Sequence, residues 1–262
     1  MSHVTSRDGA TIAFERSGTG PAVVFVGGAL TTAAAMAPLA ALLSARCDVS
    51  VYDRRGRGSS GDIDPYAVER EVEDLAAVLE VTGGRACVYG HSSGAVLALE
   101  AASQGLPIER LALYEPPFVV DDSRAPLPPD YVARLTDLVA GDRRGDAIEY
   151  FMTTGAAAPA DTVASMRSAP FWPAMEAMAH TLAYDGTVMG DTMSGRPLQG
   201  NRWDTVTMPT LVMDGGASPD WARNATRALA AVLPDARYRT LEGQTHGVTD
   251  DAMAPVVEEF FG

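Results

Sequence analysis

Lysine is absent from this chain; all twenty of its basic residues are arginine. Without an ε-amine there is no Schiff base to a carbonyl substrate and no lysine-bound pyridoxal phosphate, and that class of reaction drops out. Cysteine is scarce. Cys47 and Cys87 lie within or beside apolar strand-like runs, with neither metal-ligand spacing nor a C-x-x-C pattern, and both are expected to be reduced and buried. The four histidines, His3, His91, His180 and His246, are scattered with no HExxH grouping, so no metal site is expected. No dinucleotide fingerprint follows the first strand of the βα alternation, and no cofactor is expected. No run reaches the roughly eighteen consecutive apolar residues that cross a bilayer. The opening residues 1–9 lack the charged-then-apolar layout of a signal peptide, so a soluble, cytoplasmic protein is expected. Positive charge is in deficit too. The formal charge of −14 opposes nucleic acid and anionic lipid, and neither is expected as a partner. That charge leaves room for one small anion in a locally positive pocket, but the densest basic stretch, Arg54-Arg55-Gly56-Arg57, is expected to shape a loop.

What is present is an ordinary globular composition, 47% hydrophobic and 21% charged over 262 residues, enough for one large α/β domain with an inserted subdomain. Thr11 to Arg16 alternates as an edge strand, and the turn Ser17-Gly18-Thr19-Gly20-Pro21 predicts a hairpin into the fully apolar Ala22-Val23-Val24-Phe25-Val26. Residues 33–46 read as a helix and Cys47 to Tyr52 as a strand. Tyr66 to Val81 is amphipathic, with Val68, Val72, Leu75 and Leu79 on one face and acids on the other. Strands alternating with helices imply a mainly parallel sheet of about eight strands covered on both faces. From Phe118 to Thr207 the pattern changes to Pro-rich loops and short amphipathic segments, which divides the chain into a core of residues 1–117 and 208–262 and a helical insertion of residues 118–207. The Met and Trp side chains of that insertion, Met152 and Trp172 among them, suit either its own packing or the lining of a pocket.

Ser92 stands in Gly90-His91-Ser92-Ser93-Gly94, between the apolar run Arg85 to Tyr89 and the helix-like run Ala95 to Ala102. As a string, G-x-S-x-G is a weak signal in a chain with 25 glycines. Strand, sharp turn and helix in that order make it informative, because the glycines let strand and helix approach while the central residue holds its hydroxyl clear at a helix N-terminus.

The Ser92 turn on the fifth strand, the Gly27-Gly28 turn after the third and His246 in a loop after the last strand together resemble the α/β-hydrolase family over essentially the whole chain. The resemblance implies an α/β-hydrolase fold with a helical cap, Ser92 as nucleophile and His246, in Glu242-Gly243-Gln244-Thr245-His246-Gly247, as general base. It also implies an oxyanion hole made by the backbone amides of Ala29 and Ser93, with Gly28 beside the substrate and Gly27 where the family carries histidine. The acid is open: the family position after the seventh strand holds Ser218, so Glu115 after the sixth strand is favoured, with Asp214 and Asp220 as alternatives. Ser92 excludes the aspartate-nucleophile chemistry of haloalkane dehalogenases and epoxide hydrolases. The expected activity is hydrolysis of an ester, lactone or thioester of a small to medium apolar molecule through an acyl-serine. A cofactor-free lyase, cyclase or acyltransferase using the same pocket, and a noncatalytic ligand-binding protein, are the alternatives. Oligomeric state is not legible.

Overall fold

Side chains alternate across a strand, and in β3 (Ala22–Val26) that alternation sends Val24 and Val26 into one apolar layer and Val23 and Phe25 into the other. A strand buried on both faces belongs at the centre of a sheet. The computed structural model describes residues 1–262 and puts β3 between β4 (Asp48–Tyr52) and β5 (Ala86–His91), parallel to both. Outward on one side lie β2 (Thr11–Gly18) and β1 (Ser2–Thr5), and on the other β6 (Ile108–Tyr114), β7 (Thr210–Gly215) and β8 (Ala236–Leu241). The resulting order is β1-β2-β4-β3-β5-β6-β7-β8, with β1 and β2 antiparallel and the remainder parallel.

Two expectations are corrected here. Thr11 to Arg16 is not an edge strand, because β1 pairs with it, and it forms no hairpin with β3, because β4 lies between them. The turn after β2 crosses the start of β4 instead: a Cβ at Gly18 or Gly20 would overlap the carbonyl oxygens of Cys47 and Arg46.

Helices α1 (Ala33–Leu43) and α10 (Asp250–Phe261) cover one face. Helices α2 (Val68–Val81), α3 (Ser93–Ser103) and α9 (Asp220–Val232) cover the other. The chain leaves β3 towards β4 over one face and leaves β5 towards β6 over the other, so the carboxyl ends of β3 and β5 part at a switch point, where open parallel sheets bind ligands. Between β6 and β7 the chain forms α4 (Tyr131–Ala140), α5 (Arg144–Tyr150), a π-helical turn (Phe151–Gly155), α6 (Ala160–Met166), α7 (Trp172–Met178) and α8 (Leu182–Met189). These enclose a small core of their own, including Tyr131, Leu135, Ile148 and Trp172, against which Ala29 and Leu30 of the loop after β3 are packed. Both cysteines are free and buried. No helix is long and apolar enough to cross a membrane.

Candidate active site

Ser92 follows β5 and precedes α3 with φ 57° and ψ −126°, a conformation that costs a non-glycine residue about 1–3 kcal/mol and persists only where the surroundings impose it. The imposition is visible. The Ser92 N–H donates to Tyr114 O at 2.9 Å, its carbonyl accepts from Ala95 N at 2.9 Å, and α3 lies so close to β3 that a Cβ at Gly94 would overlap the carbonyl oxygens of Val26 and Gly27. A Cβ at Gly28 would come to 2.9 Å from Ser92 Cβ. The Ser92 hydroxyl is partly exposed and has no hydrogen-bond partner in the protein. Nearby, the Ser93 N–H opens α3 and so has no intrahelical acceptor, and the Ala29 N–H is taken by no turn.

Glu115 continues β6 by one residue, its N–H on Met213 O at 2.9 Å, and then turns at φ 44°. Its carboxylate is 1% exposed. Oε1 accepts from Gly215 N at 2.8 Å and Oε2 meets His246 Nδ1 at 2.8 Å. Burial alone would raise the Glu115 pKa, but the hydrogen bonds from His246 and the Gly215 amide oppose it, and the carboxyl is held below its ordinary 4.5. The loop carrying His246 is pinned by Tyr114 Oη, which donates to Thr245 O at 2.6 Å, and by Ala217 N on Gln244 O at 2.8 Å. With Nδ1 on Glu115, the other ring nitrogen of His246 is the one left for chemistry. His91 packs edge-on against His246, centroids 5.1 Å apart, and beside Tyr114. Burial, and then the neighbouring His246, push the His91 pKa down to about 3, so it stays neutral.

Of the three carboxylates considered from sequence, Glu115 is the one on His246. Asp214 is fully buried at the end of β7 with its Oδ2 on Tyr238 Oη at 2.6 Å and Arg223 Nε at 3.7 Å. Asp220 is exposed at the start of α9. Neither aspartate meets the His246 ring: Asp214 is held by other partners and Asp220 stands in solvent.

A model of the alpha/beta hydrolase family matches residues 23–259. The chain belongs to the alpha/beta hydrolase family. Along its whole length it is 59% identical to an alpha/beta hydrolase from Sphaerobacter thermophilus, with a TM-score of 0.94 and all of both chains covered. The enol-lactonase of Burkholderia xenovorans is 21% identical over 99% of each chain with a TM-score of 0.71, a likeness of fold alone. The N-formylmaleamate deformylase of Pseudomonas putida is 34% identical over 144 residues, 52% of this chain and 53% of that protein. The chain spans about half or less of the length of the curated relatives it matches.

The other residues singled out in the sequence of this alpha/beta hydrolase have the following surroundings. Trp172 is 3% exposed inside the core of the helical stretch, with its indole N–H on Glu176 Oε1 at 3.1 Å, so its ring is occupied by packing and is not open to a ligand. Met152, in the π-helical turn, is partly buried against the same core. Gly28 is a close-approach position behind Ser92, its carbonyl held by Arg57 Nη1 at 2.6 Å. Arg54, Arg55 and Arg57 form no positive pocket: each is at most 1% exposed and paired with buried acids. Two of those acids, Glu71 and Asp74, belong to the acidic side of the amphipathic α2, yet both are buried. A run of three arginines beside a helix with acids one turn apart was the available signal. Asp185, which joins Arg54 and Arg57 from α8, had none in the sequence.

Proposed function

We propose that the protein is a serine hydrolase acting on an ester, lactone or thioester of a small to medium apolar molecule. The hydrogen bond between the buried, ionised Glu115 and His246 Nδ1, beside a strained Ser92, carries this reading. His246 Nε2 takes the Ser92 proton as Oγ bonds to the carbonyl carbon, and the amides of Ala29 and Ser93 receive the oxyanion. Collapse breaks the bond to the leaving group, which takes the proton back from His246. Water, deprotonated by His246, then attacks acyl-Ser92, and as the bond to Oγ breaks His246 returns that proton to Ser92 and the acid is released. Glu115 holds the ring in the required tautomer and offsets the imidazolium. The helices between β6 and β7 act as a cap over the loop carrying Ala29. The likeness to a deformylase, an enzyme that by its name removes a formyl group, supports attack on a small carbonyl compound.

Intact-mass analysis after exposure to a fluorophosphonate tests the reading. One adduct on wild type and none on Ser92→Ala is expected; a folded wild type that takes no adduct would overturn it.

A further inference from the structure

Asp185 lies on α8, 92 residues from Ser93, with a side chain 5% exposed. Its Oδ1 accepts from the Ser93 hydroxyl at 2.7 Å, from Arg54 Nη1 at 2.9 Å and from Arg57 Nη2 at 2.9 Å. Its Oδ2 accepts from Arg57 Nη2 at 2.8 Å. The same guanidinium groups reach onward to the loop after β3: Arg57 Nη1 donates to Gly28 O at 2.6 Å and Arg54 Nη1 to Gly27 O at 3.3 Å. Arg54 is held from behind by both oxygens of Glu71, each at 2.6 Å. Two arginines and two carboxylates thus close a buried, charge-balanced network.

The ends of this network, the Gly28 carbonyl and the Ser93 side chain, adjoin the two amides, those of Ala29 and Ser93, that receive the oxyanion in the proposed reaction. The carbonyl of Gly28 and the N–H of Ala29 belong to one planar peptide unit, so a guanidinium that fixes the C=O also fixes the direction of the N–H. Positive charge on that carbonyl oxygen strengthens donation from the other end of the same amide. Ser93, which supplies the second amide, is tied to the same carboxylate by its side chain. Stability alone does not account for such an arrangement, since buried ion pairs are weak stabilisers compared with apolar side chains of the same volume.

We propose that Asp185 is the positioning residue of the oxyanion hole. It orients Arg57 against the Gly28–Ala29 peptide and tethers Ser93, so the two amides are aligned when α8 is docked on the core. The helical stretch therefore sets the rate of the chemistry as well as covering it. This inference rests on the assignment of Ser92 as nucleophile.

The test compares wild type, Asp185→Asn, Ser93→Ala and Asp74→Asn. Asp74 is a buried carboxylate that pairs with Arg55 and touches neither amide-bearing segment. Fluorophosphonate labelling, kcat and KM for an aryl acetate, the pH midpoint of kcat and the affinity for phenylboronic acid are measured on each. Asp185→Asn is expected to lower kcat and boronate affinity together by about 10- to 100-fold, less than outright loss of an oxyanion donor, with KM and the pH midpoint unmoved. Ser93→Ala is expected to shift both in the same direction by a smaller factor, and Asp74→Asn to lower the melting temperature with kcat retained. If Asp185→Asn keeps the wild-type kcat and boronate affinity, or loses no more kcat than Asp74→Asn, the inference falls. Should Asp185→Asn not fold, Ser93→Ala decides alone: reduced kcat supports the inference and unchanged kcat overturns it. Absence of labelling in wild type would instead overturn the assignment of Ser92, and the inference with it.

Discussion

Two backbone positions with positive φ, Ser92 and Glu115, directly follow the adjacent strands β5 and β6, and Glu115 places its carboxylate on the His246 ring. Glu115 reaches Nδ1 because its carbonyl-end turn departs from β6 while its N–H still pairs with β7. Glu115→Gln keeps the shape but loses the charge that offsets an imidazolium, and kcat/KM on an aryl ester should fall by about 10³- to 10⁴-fold, the scale of acid loss in such triads. Asp220→Asn should leave kcat/KM near wild type, since its side chain stands in solvent. Asp214→Asn should lower stability by about 1–3 kcal/mol through its buried partners without a comparable loss of rate. A rate collapse in either aspartate variant, with Glu115→Gln intact, would move the acid. His91 gives a spectroscopic check: with a pKa of about 3 its ring resonances should not titrate between pH 5 and 8, and an NMR midpoint near 6.5 would contradict the packing described. Ser92 and His246 were legible from the sequence as candidates because each lies in a local pattern tied to a strand end. Glu115 was preferred there and two aspartates kept open, since only the register of β6 on β7 says which carboxylate faces the His246 loop.

Within elements, close approach governs the site. Strand β3 and helix α3 touch at Gly94, where an added methyl meets backbone carbonyls that cannot move without dislodging Gly27. Gly94→Ala should therefore cost more than an ordinary helix substitution, about 3 kcal/mol or more, read as a lower urea midpoint, and a near-neutral effect would mean the helix slides freely. The helical stretch between β6 and β7 has its own small core, and Trp172→Ala should loosen it by about 3–5 kcal/mol. Limited proteolysis within residues 131–189, ahead of unfolding of the sheet, is the expected readout; simultaneous loss of both would show one cooperative unit. The strands with continuous apolar runs and the amphipathic α2 were readable from periodicity. The inward-facing Glu71 and Asp74 were not, because their partners are arginines from a loop whose path a one-dimensional pattern does not specify.

For the molecule as a whole, buried ionisable groups make stability depend on pH in a definite direction. His91 drops from an ordinary 6.5 to about 3 on folding, so between those values the unfolded chain binds a proton that the folded chain refuses, and stability falls as pH decreases below about 6.5. Glu115, Glu71 and Asp185 have carboxyl groups held below their ordinary values, the last two by arginines that outweigh the effect of burial. Their contribution is present above those ordinary values and is lost as pH falls through the depressed ones. Asp74, raised by burial, acts in the opposite sense. The urea midpoint should decline from pH 7 to pH 4, steepening below 4.5; a flat profile would contradict these assignments. Sequence alone determined the alternating strand and helix order, the turn that exposes Ser92 and the absence of lysine chemistry, because those depend on neighbours along the chain. The position of β4 between β2 and β3, the pairing of Glu115 with His246, the burial of three arginines and the link from Asp185 to Gly28 and Ser93 depend on residues 17 to 131 positions apart meeting in space. Only the packed tertiary structure decided them, since it alone removes those charges from water and brings each to partners distant in the sequence.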